Sequence, residues 1–161
     1  FSDTMMNDYG AECAFPRGAV PHITTGSWHI YPEDEQGCID SLNAIEGIGC
    51  CDVSLELRHV KDPRGNLHYW MVPEETPELL DLHAKAYELL AYTHETFRPQ
   101  DIVGQWEPHL TLFSFSAAEE KEIPDVTDKI PANLEGTVTR LGLVTFTPIT
   151  TIAEITLGRR E

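Results

Sequence analysis

The 161-residue chain is short of positive charge: 11 Lys and Arg stand against 27 Asp and Glu, for a net charge of −16. A long polyanion must be held by Lys and Arg that displace its counterions. Those present, from Arg17 to Arg160, are scattered and form no basic stripe. Long duplex nucleic acid is therefore not an expected partner, whereas a small anion gripped locally remains acceptable. No apolar run approaches the roughly 18 residues needed to cross a bilayer, so no membrane partner is expected. The opening Phe1-Ser2-Asp3-Thr4-Met5-Met6 has neither a basic flank nor an apolar signal core. The four cysteines, Cys13, Cys38, Cys50 and Cys51, include no C-x-x-C pair and two of them are adjacent. That pattern suits neither a zinc knuckle nor a disulfide framework, and reduced thiols in a cytoplasmic protein are expected. Internal repeats and low-complexity linkers are also missing.

What is present suffices for one ordinary domain with its own core, at 41% hydrophobic residues. Residues 19–24 read as a short strand, followed by a polar turn and a helix over about 33–46 closed by Gly47 and Gly49. Residues 52–60 alternate at period two, Asp62-Pro63-Arg64-Gly65-Asn66 carries turn chemistry, and residues 67–72 return as the second arm of a hairpin. The clearest helix runs over about 77–93, with Thr76 as cap, Pro77 at its first position and an apolar face of Leu79, Leu82, Ala86, Leu89 and Leu90. A second strand-like motif occupies residues 108–115, and an acidic helical stretch residues 117–122. Two closing strands are expected at 137–145 and 151–157. Helices interleaved among strands indicate an α+β domain built as two similar halves.

The chemistry lies in two matching segments, Pro21-His22-Ile23-Thr24 and Pro108-His109-Leu110-Thr111, whose histidines are 87 residues apart, from 22 to 109. On a strand, residues i and i+2 share a face, so each segment would present one imidazole and one hydroxyl together. Two imidazoles in one cleft meet the needs of phosphodiester cleavage. One takes a proton from the attacking oxygen and the other gives one to the leaving oxygen. With an unperturbed pKa near 6.5, one His can be neutral while the other is charged. Thr hydroxyls can donate to the non-bridging phosphate oxygens. A His-x-[Ser/Thr] pattern alone is common. His94-Glu95-Thr96 shows as much, at a helix end without the Pro and aliphatic neighbours that the other two share.

On these two motifs, their separation and the order of elements, the chain resembles the two-histidine phosphoesterase superfamily, typified by bacterial 2′-5′ RNA ligase and cyclic phosphodiesterases. The resemblance implies a bilobal fold of two antiparallel sheets flanking a central cleft, with helices outside, formed by residues 1–161 as one domain. It also implies a metal-independent phosphodiesterase without cofactor, acting on a small cyclic or 2′-5′ linked nucleotide or oligonucleotide. In that carry-over His22 and His109 are the acid and base, and Thr24 and Thr111 bind phosphate. A monomer is the expected state. The alternative is a non-catalytic nucleotide-binding or sequestering domain, which need not retain both imidazoles. A His-triad nucleotide hydrolase is disfavoured because no H-x-H-x-H run exists.

Other residues admit two readings. Trp28, Trp70, Trp106, Tyr9 and Phe113 are either core or a base-stacking surface. Phe113 shares the expected parity of His109 and Thr111, and Trp106 is the tryptophan nearest to either motif. Arg140 is either a phosphate clamp or a solvated strand residue. His29 could join His22 at a zinc ion, but no third ligand has suitable spacing.

Overall fold

In a computed structural model, the described residues are 12–13, 21–45, 48–91, 96, 98–116, 130–145 and 149–158. They form two α-helices and two β-sheets, an α+β arrangement. The strands are β1 (Glu12–Cys13), β2 (Cys51–Lys61), β3 (Leu67–Pro73), β4 (Leu110–Phe115), β5 (Asn133–Val138), β6 (Arg140–Thr145) and β7 (Thr150–Thr156). The helices are α1 (Glu35–Asn43) and α2 (Pro77–Ala91). The larger sheet has the order β1-β4-β3-β2-β5, and β6 with β7 makes the smaller. No described helix is long and apolar enough to cross a membrane.

The chain divides into two compact units, one of Phe1–Ile23, Ser54–Glu74 and His109–Glu135, the other of Thr24–Val53, Glu75–Pro108 and Gly136–Glu161. The expected similar halves, each with one His-x-Thr segment, are not what forms: His22 and His109 both belong to the first unit, and Thr24 belongs to the second.

In the first unit the hairpin follows from its alternation. Leu55 on β2 and Tyr69, Met71 and Pro73 on β3 are buried while Glu56 is exposed, so one face of the sheet is core. Phe113 and Phe115 of β4 complete that face, with the Phe115 ring set edge-on to Tyr69. The turn is closed by Asp62, whose Oδ1 accepts from the backbone N–H groups of Arg64 (2.9 Å) and Asn66 (2.8 Å). Gly65 occupies the left-handed region at φ 88°.

In the second unit Thr76 Oγ1 accepts from Leu79 N–H at 3.2 Å and caps α2. Leu79, Leu82, His83 and Ala86 are its buried stripe, at the three- and four-residue spacing of a helix face. Helix α1 buries Cys38 and Leu42 and packs against α2 and the β6–β7 pair.

Three expectations change. Residues 21–24 form no strand: the Thr24 carbonyl accepts from the Trp106 indole and not from a ladder partner, and Pro21 has no N–H to give; residues 19–20 lie outside the described set. The first helix is shorter than 33–46: Pro32–Asp34 makes a single 3₁₀ turn, and the helix proper ends at Asn43, where Ala44 N–H reaches back to Asp40. The 137–145 strand is two strands, split at Thr139, whose carbonyl accepts from Leu157 N–H at 2.9 Å. Helix α2 is described to Ala91, and the acidic stretch 117–122 lies outside the described residues.

Candidate functional site

The register between β3 and β4 decides which side chains meet in the first unit. Met71 pairs with Leu110 and Trp70 with Thr111, then the register shifts, and Tyr69 pairs with Phe113 and His68 with Ser114. Leu112 is thus the extra residue of a β-bulge. Cross-strand partners share a face and neighbours along a strand alternate. Thr111 and Ser114 therefore stand on the face of Trp70 and His68, opposite the Tyr69 and Met71 core. This corrects the parity expected for Phe113. The bulge reverses the alternation after Thr111, and Phe113 points into the core, only 4% exposed.

His109 immediately precedes β4 and is half-buried. Its imidazole lies flat on the Trp70 indole, with ring centroids 3.9 Å apart and an angle of 17° between planes. Trp70 also stacks with His68 at 5.6 Å. The His68 ring is fixed in turn: Nδ1 and Ser114 Oγ share a 2.9 Å hydrogen bond, and Nε2 faces Asp62 Oδ2 at 3.6 Å. Burial alone would raise the pKa of Asp62. Hydrogen bonds from the Asn66 side chain and backbone, from His68 and from the Arg64 N–H outweigh it and hold the carboxyl below its ordinary value.

The second unit contains the end of the first motif. Thr24 contributes its carbonyl oxygen to the Trp106 indole N–H at 2.9 Å. Ser27 gives its carbonyl to Thr96 Oγ1, also at 2.9 Å, and Trp28 forms a single β-bridge with Thr96. Gly26 is required beneath Trp28, since a Cβ there would overlap the indole ring. The segment after His22 is therefore held by side chains from far downstream in the chain. His83, 2% exposed, reaches the same segment. Its Nε2 meets the Asp101 carbonyl at 2.9 Å, and its ring is also hydrogen-bonded to the Thr25 backbone. Burial pushes the His83 pKa below its ordinary value, against the opposing pull of Asp101 and of the Thr25 backbone.

Among the predicted site residues, His109 and Thr111 share the Trp70 neighbourhood, and Thr24 and Trp106 share a hydrogen bond. His22 is exposed in a segment without regular structure. Trp106 is 8% exposed and stacked on His83. Arg140 Nη1 pairs with Glu154 Oε1 at 3.0 Å across the smaller sheet. Cys38, Cys50 and Cys51 form no disulfide. Burial, then Asp34 and Glu35, push Cys38 up, and Cys50 Sγ donates to the Leu157 carbonyl. Among the described residues no three His, Cys, Asp or Glu side chains are grouped to hold a metal ion. No family model, curated protein or solved structure matches the chain.

Sequence reasoning favours a structural role for His68 and His83 and keeps both out of the site. The position of His83 within the Leu79, Leu82 and Ala86 stripe was the available signal for its burial. Nothing local announced His68, whose partners depend on the register of a strand more than 40 residues away.

Proposed function

We propose that the chain is a metal-independent phosphodiesterase of the two-histidine type, acting on a small cyclic or 2′-5′ linked nucleotide phosphodiester. One observation carries the reading: the 2.9 Å hydrogen bond from Trp106 Nε1 to the Thr24 carbonyl. It joins the last residue of the first motif to a residue two positions before Pro108, and so supports a link between the two segments. In this reading His22 and His109 divide the proton transfers. One accepts the proton of the attacking water, and the other protonates the oxygen that leaves phosphorus. Thr24 and Thr111 donate to the non-bridging oxygens. The net charge of −16 supports a small substrate over a long one.

The test is turnover of 2′,3′-cyclic nucleotides and short 2′-5′ linked oligonucleotides by the full chain in EDTA. Turnover that survives chelation is expected. Activity lost in EDTA and restored by zinc or manganese overturns the acid–base pair. Binding without turnover replaces the enzyme with a nucleotide-binding domain.

A further inference from the structure

We propose that Trp70, backed by His68, is a positioning residue that presents the His109 ring for proton transfer. The inference rests on the reading of His109 as an acid or base, and it adds residues that neither motif contains.

His109 sits one residue before the first ladder pair of β4, where the backbone by itself leaves its side-chain torsions open. A stack at 3.9 Å and 17° removes most of that freedom, because the imidazole plane must follow the indole plane. A stack occupies the face of the ring. Both nitrogens lie on the edge, so the contact orients the proton-carrying atoms without competing for them.

An orienting surface must itself be fixed, and Trp70 is. It is held in the middle of the hairpin opposite Arg58 on one side and Thr111 on the other. Its second aromatic neighbour, His68, shares a hydrogen bond with Ser114 at Nδ1 and faces Asp62 Oδ2 with Nε2 at 3.6 Å. Asp62 is locked in the turn by Arg64 N–H, Asn66 N–H and Asn66 Nδ2, the last at 2.8 Å. A continuous series of contacts thus runs from the hairpin turn through His68 and Trp70 to His109. A misplacement of about 1 Å at a reacting group can cost on the order of 100-fold in rate. A ring anchored this way has a use that an ordinary core stack lacks.

The experiment compares Trp70→Leu, Trp70→Phe and Ser114→Ala in the full chain. Two readouts are taken: kcat and KM on a 2′,3′-cyclic nucleotide, and the NMR resonances of the His109 ring protons, assigned by their loss in His109→Gln. In the parent these protons lie over the indole and should be shifted upfield. Trp70→Leu is expected to abolish that shift and to lower kcat by about 10-fold or more with KM changed by less than about threefold, since positioning acts on the transition state. Trp70→Phe should restore most of both, and Ser114→Ala should lower kcat less. A rise in KM with kcat unchanged makes Trp70 a substrate contact and overturns the proposal. So does a displaced His109 ring with parental kcat, or a ring unaffected by Trp70→Leu. If the parent turns over none of these substrates, the reading of the site fails. The upfield shift and its loss then separately decide whether the stack exists.

Discussion

The indole of Trp106 lies flat on the imidazole of His83, with centroids 4.0 Å apart and planes 1° from parallel. The same indole donates to Thr24, and the same imidazole is bonded to the backbone of Thr25. One aromatic pair therefore holds two consecutive residues just after His22. Trp106→Phe keeps an aromatic ring but deletes the donor, leaving the Thr24 carbonyl without it and a gap where the larger ring lay. The expected loss is about 1–3 kcal/mol of stability. Urea unfolding monitored by far-UV circular dichroism measures it, and an unchanged midpoint at unchanged slope would contradict the assignment.

His83 gives stability a pH dependence of definite sign. Its folded pKa lies below the ordinary value because burial disfavours the charged ring. The unfolded chain, with a His pKa near 6.5, then takes up the proton first as pH falls. The contribution is full above about pH 6.5 and is lost as pH drops from there toward the folded pKa. Urea midpoints for the parent and for His83→Gln should be furthest apart above that pH and approach each other below it. Curves that stay parallel across the range would show that His83 does not titrate with unfolding.

Gly65 is the point where the hairpin turn tolerates only one residue type. At φ 88° a Cβ crowds the following carbonyl, so Gly65→Ala should cost about 1–2 kcal/mol. Gly65→Asn should cost less, since Asn enters this region more readily. Equal stability of parent and Gly65→Ala in thermal unfolding would mean that the turn relaxes to another conformation.

These elements show what the sequence made legible. The hairpin, its Asp62 turn and the capped start of α2 were readable because each rests on local chemistry: period-two burial, an Asx turn with Gly, and a Thr beside Pro77. The fate of residues 21–24 was not, because whether an extended segment joins a sheet depends on what stands beside it. Here Trp106, distant in the chain, takes that role at Thr24. The position of Phe113 was hidden for a related reason. Period-two parity holds only for an unbroken ladder, and the extra residue at Leu112 has no signature in Leu-Thr-Leu-Phe. The break at Thr139 likewise depends on Leu157, the residue that claims its carbonyl.

The division of labour between His22 and His109 supplies the last prediction. Attack and departure are assisted together only when one imidazole is neutral and the other protonated. The pH profile of kcat/KM should therefore be bell-shaped. Its limbs report macroscopic constants of a coupled pair, so neither limb belongs to His22 or to His109 alone. Replacing either His by Ala should remove on the order of 10²–10⁴ in rate, the usual size of a general acid–base contribution. The two losses should not add in the double variant if the residues act in one step. Thr24→Val and Thr111→Val should cost less, because water can partly replace a neutral donor to phosphate. Each variant is to be checked for parental unfolding behaviour, so that lost rate is not lost fold. His22→Ala and His109→Ala proteins that remain folded and hydrolyse the best substrate at the parental rate would remove both imidazoles from the chemistry.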